Sequence, residues 1–159
     1  LVPLGEELGI LQFEQSAAVC RGDANCIFAG RFGALPFFDV ERVAQMTDDD
    51  VERLMQYDGI VRNRLKIKAT ISNARLFISI QKEFGSFYRY TLSFFPDGKP
   101  IVNNFRSLSE IPVSSPQSDA MSKDMKKRGF KFFGTTICYA HLQASGFVND
   151  HLLGCVCRK

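Results

Sequence analysis

From residue 38 onward the apolar positions of this chain recur with helical spacing, and short polar residues mark where each run begins. Asp39 is placed to cap a short helix through Met46. Asp48 or Asp49 is placed to cap the next, in which Val51, Leu54 and Met55 share a face. After Asp58 and Gly59, a helix of about twenty residues carries Ile60, Ile67, Ile71, Ala74, Phe77, Ile78 and Ile80 and ends near Lys82. Phe84-Gly85-Ser86 breaks the pattern, and an aromatic-rich helix follows over Phe87 to Phe95. Pro96 to Pro100 is a turn by composition, and Val102 to Gln117, polar and punctuated by Pro112 and Pro116, reads as a loop across the surface. Strand patterns are confined to Thr91 to Phe95 and Ile101 to Val102. The chain is therefore predicted to be mainly α.

The stretch from Ser118 to Cys157 carries the most specific local order. Ser118 or Asp119 can cap a helix in which Met121 and Met125 share a face at i, i+4, while Lys123, Lys126 and Lys127 point elsewhere. Gly129 is the natural stop, because glycine takes the left-handed conformation after a helix without steric cost. A second helix is predicted from about Gly134, where small residues leave free backbone N–H groups open to a phosphate. The turn between them, Gly129 to Gly134, is ringed by lysines. That arrangement suits a grip on a nucleic-acid backbone that reads no bases. An ordinary helical hairpin with solvated lysines is the competing reading.

Before residue 38 the pattern is weak. Phe13, Ala17 and Cys20 fit one helical face, but Arg21 to Asn25 is turn-like and the remainder is rich in Gly and Phe. A divergent N-terminal segment with poor order is expected over residues 1–37, and a helical domain over 38–157.

Composition narrows the class. At 159 residues with 45% hydrophobic positions, the chain has the length and apolar content for one domain with a real core. No apolar run approaches the ~18 residues of a transmembrane helix, and the first residues do not read as a signal peptide. The expectation is a cytoplasmic monomer without membrane association. A net charge of +3 is a weak pull towards polyanions, so its distribution matters more than its sum. One basic cluster is Arg62, Arg64, Lys66 and Lys68, read as a solvated face. The other is Lys123, Lys126, Lys127, Arg128 and Lys131. Five cysteines, an odd number, favour thiols or metal ligands over a disulfide framework. His151 and Cys155, four apart, would share a helical face that zinc can use, but a structural zinc site needs four ligands.

The run SDAMSKDMKKRGFKFFGTTICYAHLQASGFVNDHLLGC, with GIVRNRLKIKATISNAR and SLSEIPVSSPQSDA upstream, resembles the DNA-3-methyladenine glycosylase I family of the helix-hairpin-helix superfamily. Together these strings cover roughly Phe38 to Cys155, about three quarters of the chain, which is far more specific than a short motif. The resemblance implies a helix-hairpin-helix DNA glycosylase-like single domain acting on double-stranded alkylated DNA. The implied reaction is hydrolysis of the N-glycosidic bond of 3-methyladenine by water in base-excision repair. It assigns DNA binding to Lys127, Arg128, Gly129, Lys131, Gly134 and Thr135, and two of the family's structural zinc ligands to His151 and Cys155. Tyr139 and Phe147 read as core, and His141 as surface or core without a catalytic role.

The N-terminal segment departs from the family. There the pattern begins with Arg-Cys-x-Trp, continues through His-Asp-x-Glu-Trp-Gly and reaches a Glu before Gln-Ala-Gly-Leu-Ser-Trp; none of these strings is present here. The family's two N-terminal zinc ligands therefore have no counterpart, so the structural zinc is expected to be lost or completed by Cys20, Cys26 or Cys157. The chain has no tryptophan, and Leu92-Ser93-Phe94 stands where the family has Trp-Ser-Phe. Phe13 falls at the position of the family's base-contacting Glu, which leaves Glu14, one residue away, as the candidate catalytic carboxylate. Codons for Gly-Leu-Ser-Trp shifted by one nucleotide yield Val-Cys-Arg-Gly, the string at Val19 to Gly22. A disturbed frame before Phe38 and a replaced N-terminus are both open. The alternative function is accordingly an inactive helix-hairpin-helix protein that binds DNA backbone and lacks the base pocket.

Overall fold

Four of the described helices begin where a short polar side chain meets the last stretch of extended backbone. A computed structural model of the protein describes residues 40–58, 60, 62–156 and 158. The expectations for residues 1–37, Glu14, Asp39 and Cys157 lie outside these. Helix α1 spans Val40–Ala44 and α2 spans Asp48–Met55. Thr47, not Asp48 or Asp49, caps α2. Its hydroxyl accepts the Asp50 N–H, and the Asp50 carboxylate accepts the Thr47 N–H at 2.7 Å, a reciprocal capping box. The aspartates instead fill the first turn, where carboxylates face the positive end of the helix dipole.

Helix α3, Arg64–Phe84, starts later than its apolar stripe suggests because Asn63 caps it, accepting the Lys66 N–H at 3.1 Å. Ile60 is buried ahead of it. Gly85, at φ +80, ends it as expected. Helix α4, Phe87–Leu92, includes the start of the stretch that also reads as a strand. Thr91 sits there fully buried, its hydroxyl donating to the Phe87 carbonyl at 3.0 Å, so packing overrides β-propensity. After a 3₁₀ turn at Pro96–Gly98, strand β1 (Ile101–Val102) pairs in parallel with β2 (Val148–Asn149), Ile101 opposite Val148. The following loop holds a 3₁₀ turn at Leu108–Glu110 and ends at Ser115.

Helix α5 is Pro116–Lys127 and α6 is Thr135–Ala144. Neither Ser118 nor Asp119 caps α5. Ser115 does, accepting the Ser118 N–H at 3.2 Å while the Ser118 hydroxyl accepts the Ser115 N–H at 2.9 Å. Pro116 fits the first helical position because the N–H it lacks would have no helical partner there.

The 21-residue α3 spans two apolar clusters. Its first half packs Ile67 and Ile71 with Val43 of α1, Val51 of α2 and Ile60. Its second half packs Phe77 and Ile80 with Phe87, Tyr90, Met121 and Leu142, among others. Tyr139 and Phe147 lie in this larger cluster, as expected, and His141 is buried beside Phe87 and Phe147. Among the described residues no helix is long and apolar enough to cross a membrane.

Candidate nucleic-acid interface

The turn joining α5 to α6 is held from three sides. At the end of α5 the Gly129 N–H donates to the Lys126 carbonyl and the Phe130 N–H to the Met125 carbonyl, both at 3.0 Å, the double closure of a helix that ends in glycine. Gly129 has φ +100, which explains its residue type. Phe130 and Phe133 point into the larger core cluster and pin both ends of the turn. From α3, the Asn73 amide clamps the Lys131 peptide: Nδ2 donates to its carbonyl at 2.9 Å and Oδ1 accepts its N–H at 3.0 Å. The Ser122 hydroxyl, on α5, donates to the Phe133 carbonyl at 3.0 Å. The residue between these anchors, Phe132, is driven to φ +57 with its ring 59% exposed.

Gly134 opens α6 with ordinary extended backbone, φ −83, and a Cβ built there would meet nothing within 4 Å. Neither conformation nor internal packing requires glycine, so the space in front of the helix start is open to an outside group. The Thr135 hydroxyl is taken by Asp119, to which it donates, and by a 3.1 Å bond with Ser118. Thr135 therefore offers a ligand its backbone N–H rather than its hydroxyl.

The two basic clusters differ in what they face. Arg64 pairs with Glu52, Lys68 with Asp48 at 2.8 Å, and Arg62 with Asp58 at 3.7 Å. These charges are balanced on the protein surface, as expected of a solvated face. Lys123, Lys126, Lys127 and Lys131 are exposed and form no ion pair with another described residue. Four exposed lysines outside any such pair attract an anion, against the opposing charge of Asp119 beside the start of α6.

Arg128 does not belong with them. Its guanidinium pairs with Glu83 at 2.5 Å and with Asp124 at 2.7 Å, and lies 5.4 Å from the ring centroids of both Phe84 and Tyr90. The Glu83 and Asp124 hydrogen bonds raise its pKa further above the ordinary guanidinium value. Tyr90 completes the set by donating its hydroxyl to Asp124 at 2.9 Å. Arg128 locks α5 to α3, and its planar fork is occupied within the protein.

His151 and Cys155 lie in a turn rather than on a helical face, yet Nδ1 and Sγ approach to 3.4 Å. Zinc bonds of ~2.0 Å to nitrogen and ~2.3 Å to sulfur at a tetrahedral angle separate the donors by about 3.5 Å. The pair thus fits two corners of a zinc tetrahedron. Among the described residues no group of three or more His, Cys, Asp or Glu side chains assembles for a metal. Asp150 braces this turn: buried, it accepts from the Tyr139 hydroxyl, from Gln143 at 2.7 Å and from Asn103 at 2.7 Å. Cys138 is elsewhere, fully buried, and desolvation pushes its thiol up to about 12, so it is an inert core residue.

A family profile described as methyladenine glycosylase matches residues 32–159. The chain belongs to the methyladenine glycosylase family. It is 51% identical over 120 residues to DNA-3-methyladenine glycosylase 1 of Escherichia coli (strain K12), an alignment covering 76% of this chain and 64% of that protein. It is 40% identical over 121 residues to DNA-3-methyladenine glycosylase of Haemophilus influenzae, covering 76% and 65%. The chain thus spans less than two thirds of the length of these curated relatives. A crystal structure of 3-methyladenine DNA glycosylase I superposes with a TM-score of 0.72 at 41% identity, covering 98% of this chain and 80% of that one. The mainly helical glycosylase fold expected from the resemblance is therefore the fold of this methyladenine glycosylase family member.

Two residues of this turn and its clamp were not singled out by sequence. Asn73 lies 58 positions from the peptide it clamps, and no local pattern connects them. Phe132 reads as one more aromatic in Phe130-Lys131-Phe132-Phe133, and only the backbone trace separates the exposed ring from the two buried ones.

Proposed function

We propose that this family member is a base-excision repair glycosylase that hydrolyses the N-glycosidic bond of 3-methyladenine in alkylated double-stranded DNA, acting as a cytoplasmic monomer. The observation that carries the DNA-holding part is the contrast between the two basic clusters. The lysines around the α5–α6 turn form no ion pair with another described residue and lie in sequence beside a helix start with open space at Gly134, while Arg62, Arg64 and Lys68 of the other cluster each pair with an acid. In this reading Lys127, Lys131 and the backbone from Gly129 to Thr135 hold phosphates, and Arg128 supports them from behind. Binding of this kind weakens steeply with salt.

The chemistry asks little of a nucleophile. A 3-methylated adenine is already cationic, so it leaves readily once the nucleotide is extruded and water is admitted at the sugar carbon. Recognition of that cation calls for a carboxylate near aromatic faces. Glu14 is the candidate carboxylate, outside the described residues. His151 and Cys155 would hold a structural zinc ion, with Cys20, Cys26 or Cys157 as the remaining donors. That metal would add its binding energy to folding.

A second reading, a DNA-backbone holder that excises nothing, is favoured by the absence of any tryptophan from the chain. Release of free 3-methyladenine from alkylated duplex DNA, with zinc quantified on the same sample before and after chelation, separates the two. The expected result is base release by a zinc-bearing protein that loses thermal stability when the metal is removed. DNA binding with no release establishes the second reading, and zinc-free protein of equal stability removes the metal site.

A further inference from the structure

We propose that the exposed ring of Phe132 is itself a DNA-contacting group, packing against the deoxyribose edge of the strand whose phosphates the α5–α6 turn holds. The inference rests on the reading of that turn as a DNA-backbone grip and adds to it an interaction that carries no charge.

The backbone at Phe132 has φ +57, a conformation that glycine adopts freely and a residue with a Cβ adopts at a cost. Burial does not repay that cost, because the ring is 59% exposed while Phe130 and Phe133 on either side are 7% and 8% exposed. Three neighbouring anchors over-determine the strained peptide. Asn73 holds both the N–H and the carbonyl of Lys131, Ser122 holds the carbonyl of Phe133, and the two flanking rings fill the core. The fold is thus organised to hold one aromatic side chain outward at a position where glycine would be the easier residue. Strain kept at a position this well supported marks a group that meets something outside the protein.

The surroundings identify what it meets. Lys131 precedes the ring in sequence, and Lys126 and Lys127 stand at the end of α5, all exposed and in no ion pair with another described residue. Gly134, with open space before it, follows two residues later, so the two Cα atoms are at most about 7 Å apart. An apolar ring beside exposed lysines that form no ion pair with another described residue, and close to a helix start with open space at Gly134, complements a surface that alternates anionic groups with apolar ones at short range. A nucleic-acid strand is such a surface, its phosphates separated by the C–H faces of its sugars. Aromatic packing of this kind is tolerant of sequence, which suits a residue on a backbone grip.

The test uses the full chain and a fluorescein-labelled, undamaged DNA duplex titrated by anisotropy at several salt concentrations. Phe132→Gly is expected to weaken binding about tenfold, the scale on which removing an aromatic platform acts, with the salt slope unchanged because no charge is removed. Thermal stability is expected to hold or rise, since glycine relieves the positive φ. Phe132→Asn, which also tolerates that conformation, is the second variant and carries the same expectation. Lys127→Ala with Lys131→Ala is expected to flatten the slope by about 0.9 for each phosphate that is no longer neutralised. Because the chain has no tryptophan, Phe132→Trp places a single indole reporter at the tip, and its fluorescence is expected to change on adding duplex. Wild-type affinity in Phe132→Gly and Phe132→Asn, with the lysine variant weakened, overturns the role of the ring and leaves the grip standing. Wild-type affinity in the lysine variant as well overturns the grip, and the role of the ring with it.

Discussion

Gly129 and Gly134 bracket the same turn for different reasons, and substitution separates them. Gly129 sits at φ +100, and an added Cβ would meet only Leu76 Cδ1 at an ordinary 3.7 Å, so the penalty of Gly129→Ala is conformational. It is expected to lower unfolding stability by about 1–2 kcal/mol in urea titrations. Gly134 has φ −83 and nothing near its absent side chain. It is the N-cap of α6, where glycine is preferred over alanine, so Gly134→Ala is expected to cost about 0.5–1 kcal/mol of stability and, in the proposed DNA grip, to weaken binding by placing a methyl group against a phosphate. Equal DNA affinity in Gly134→Ala would mean that nothing approaches that surface closely. The two glycines look alike in sequence, and only the torsion angles show that one of them needs the left-handed conformation and the other does not.

At the level of the element, α5 ends in a Lys-Lys-Arg run whose members do different work. Lys126 and Lys127 are exposed, whereas Arg128 reaches back to Glu83 on α3 and along its own helix to Asp124. Both carboxyls are held below their usual range. For Glu83 the guanidinium hydrogen bond is the main cause; for Asp124 the bonds from Arg128 and Tyr90 outweigh the opposing burial. Arg128→Ala is expected to cost about 2 kcal/mol of stability, since it leaves a half-buried carboxylate with one partner fewer and removes the cation from the faces of Phe84 and Tyr90. Its effect on the salt slope of DNA binding should be smaller than that of Lys127→Ala. A slope lowered as far as in the lysine variant would restore Arg128 to the set that touches phosphate.

For the molecule as a whole, His141 sets an acid limit on the folded state. It is 1% exposed, flanked by the rings of Phe87 and Phe147, with Nδ1 3.2 Å from the Ser145 hydroxyl. Desolvation lowers its pKa from 6.5 to about 4. The unfolded chain therefore binds this proton more readily than the folded one. Stability from keeping the ring neutral is complete above pH 6.5 and is lost as pH falls towards 4, an effect of about 3 kcal/mol. The partly exposed Asp50, lowered to about 2 mainly by the Thr47 N–H, acts in a more acidic window. Unfolding midpoints from pH 7 to 4 should fall in wild type and stay flatter in His141→Gln. Parallel curves for the two proteins would show that the ring does not set this dependence.

What was legible in the sequence was what neighbours decide. The end of α5 at Gly129, the break at Gly85 and the α6 start near Gly134 all depend on residues within about five positions, where chain sterics and short hydrogen bonds dominate, whereas His151 and Cys155 come together through a turn and not through the expected helical face. Even there, the choice of Thr47 over Asp48 and of Ser115 over Ser118 depended on which residue kept extended backbone, a matter of torsion angles rather than residue type. Long-range partners were decided by packing. Asn73 meets Lys131 across 58 positions, Arg128 meets Glu83 across 45, and β1 finds β2 only after α5 and α6 have been laid between them. Residue order alone specifies helices, breaks and a basic turn of a recognisable family. Which of those basic groups remain for a ligand is settled only in three dimensions, because a charge is available for binding only after the fold has settled which acids stand beside it.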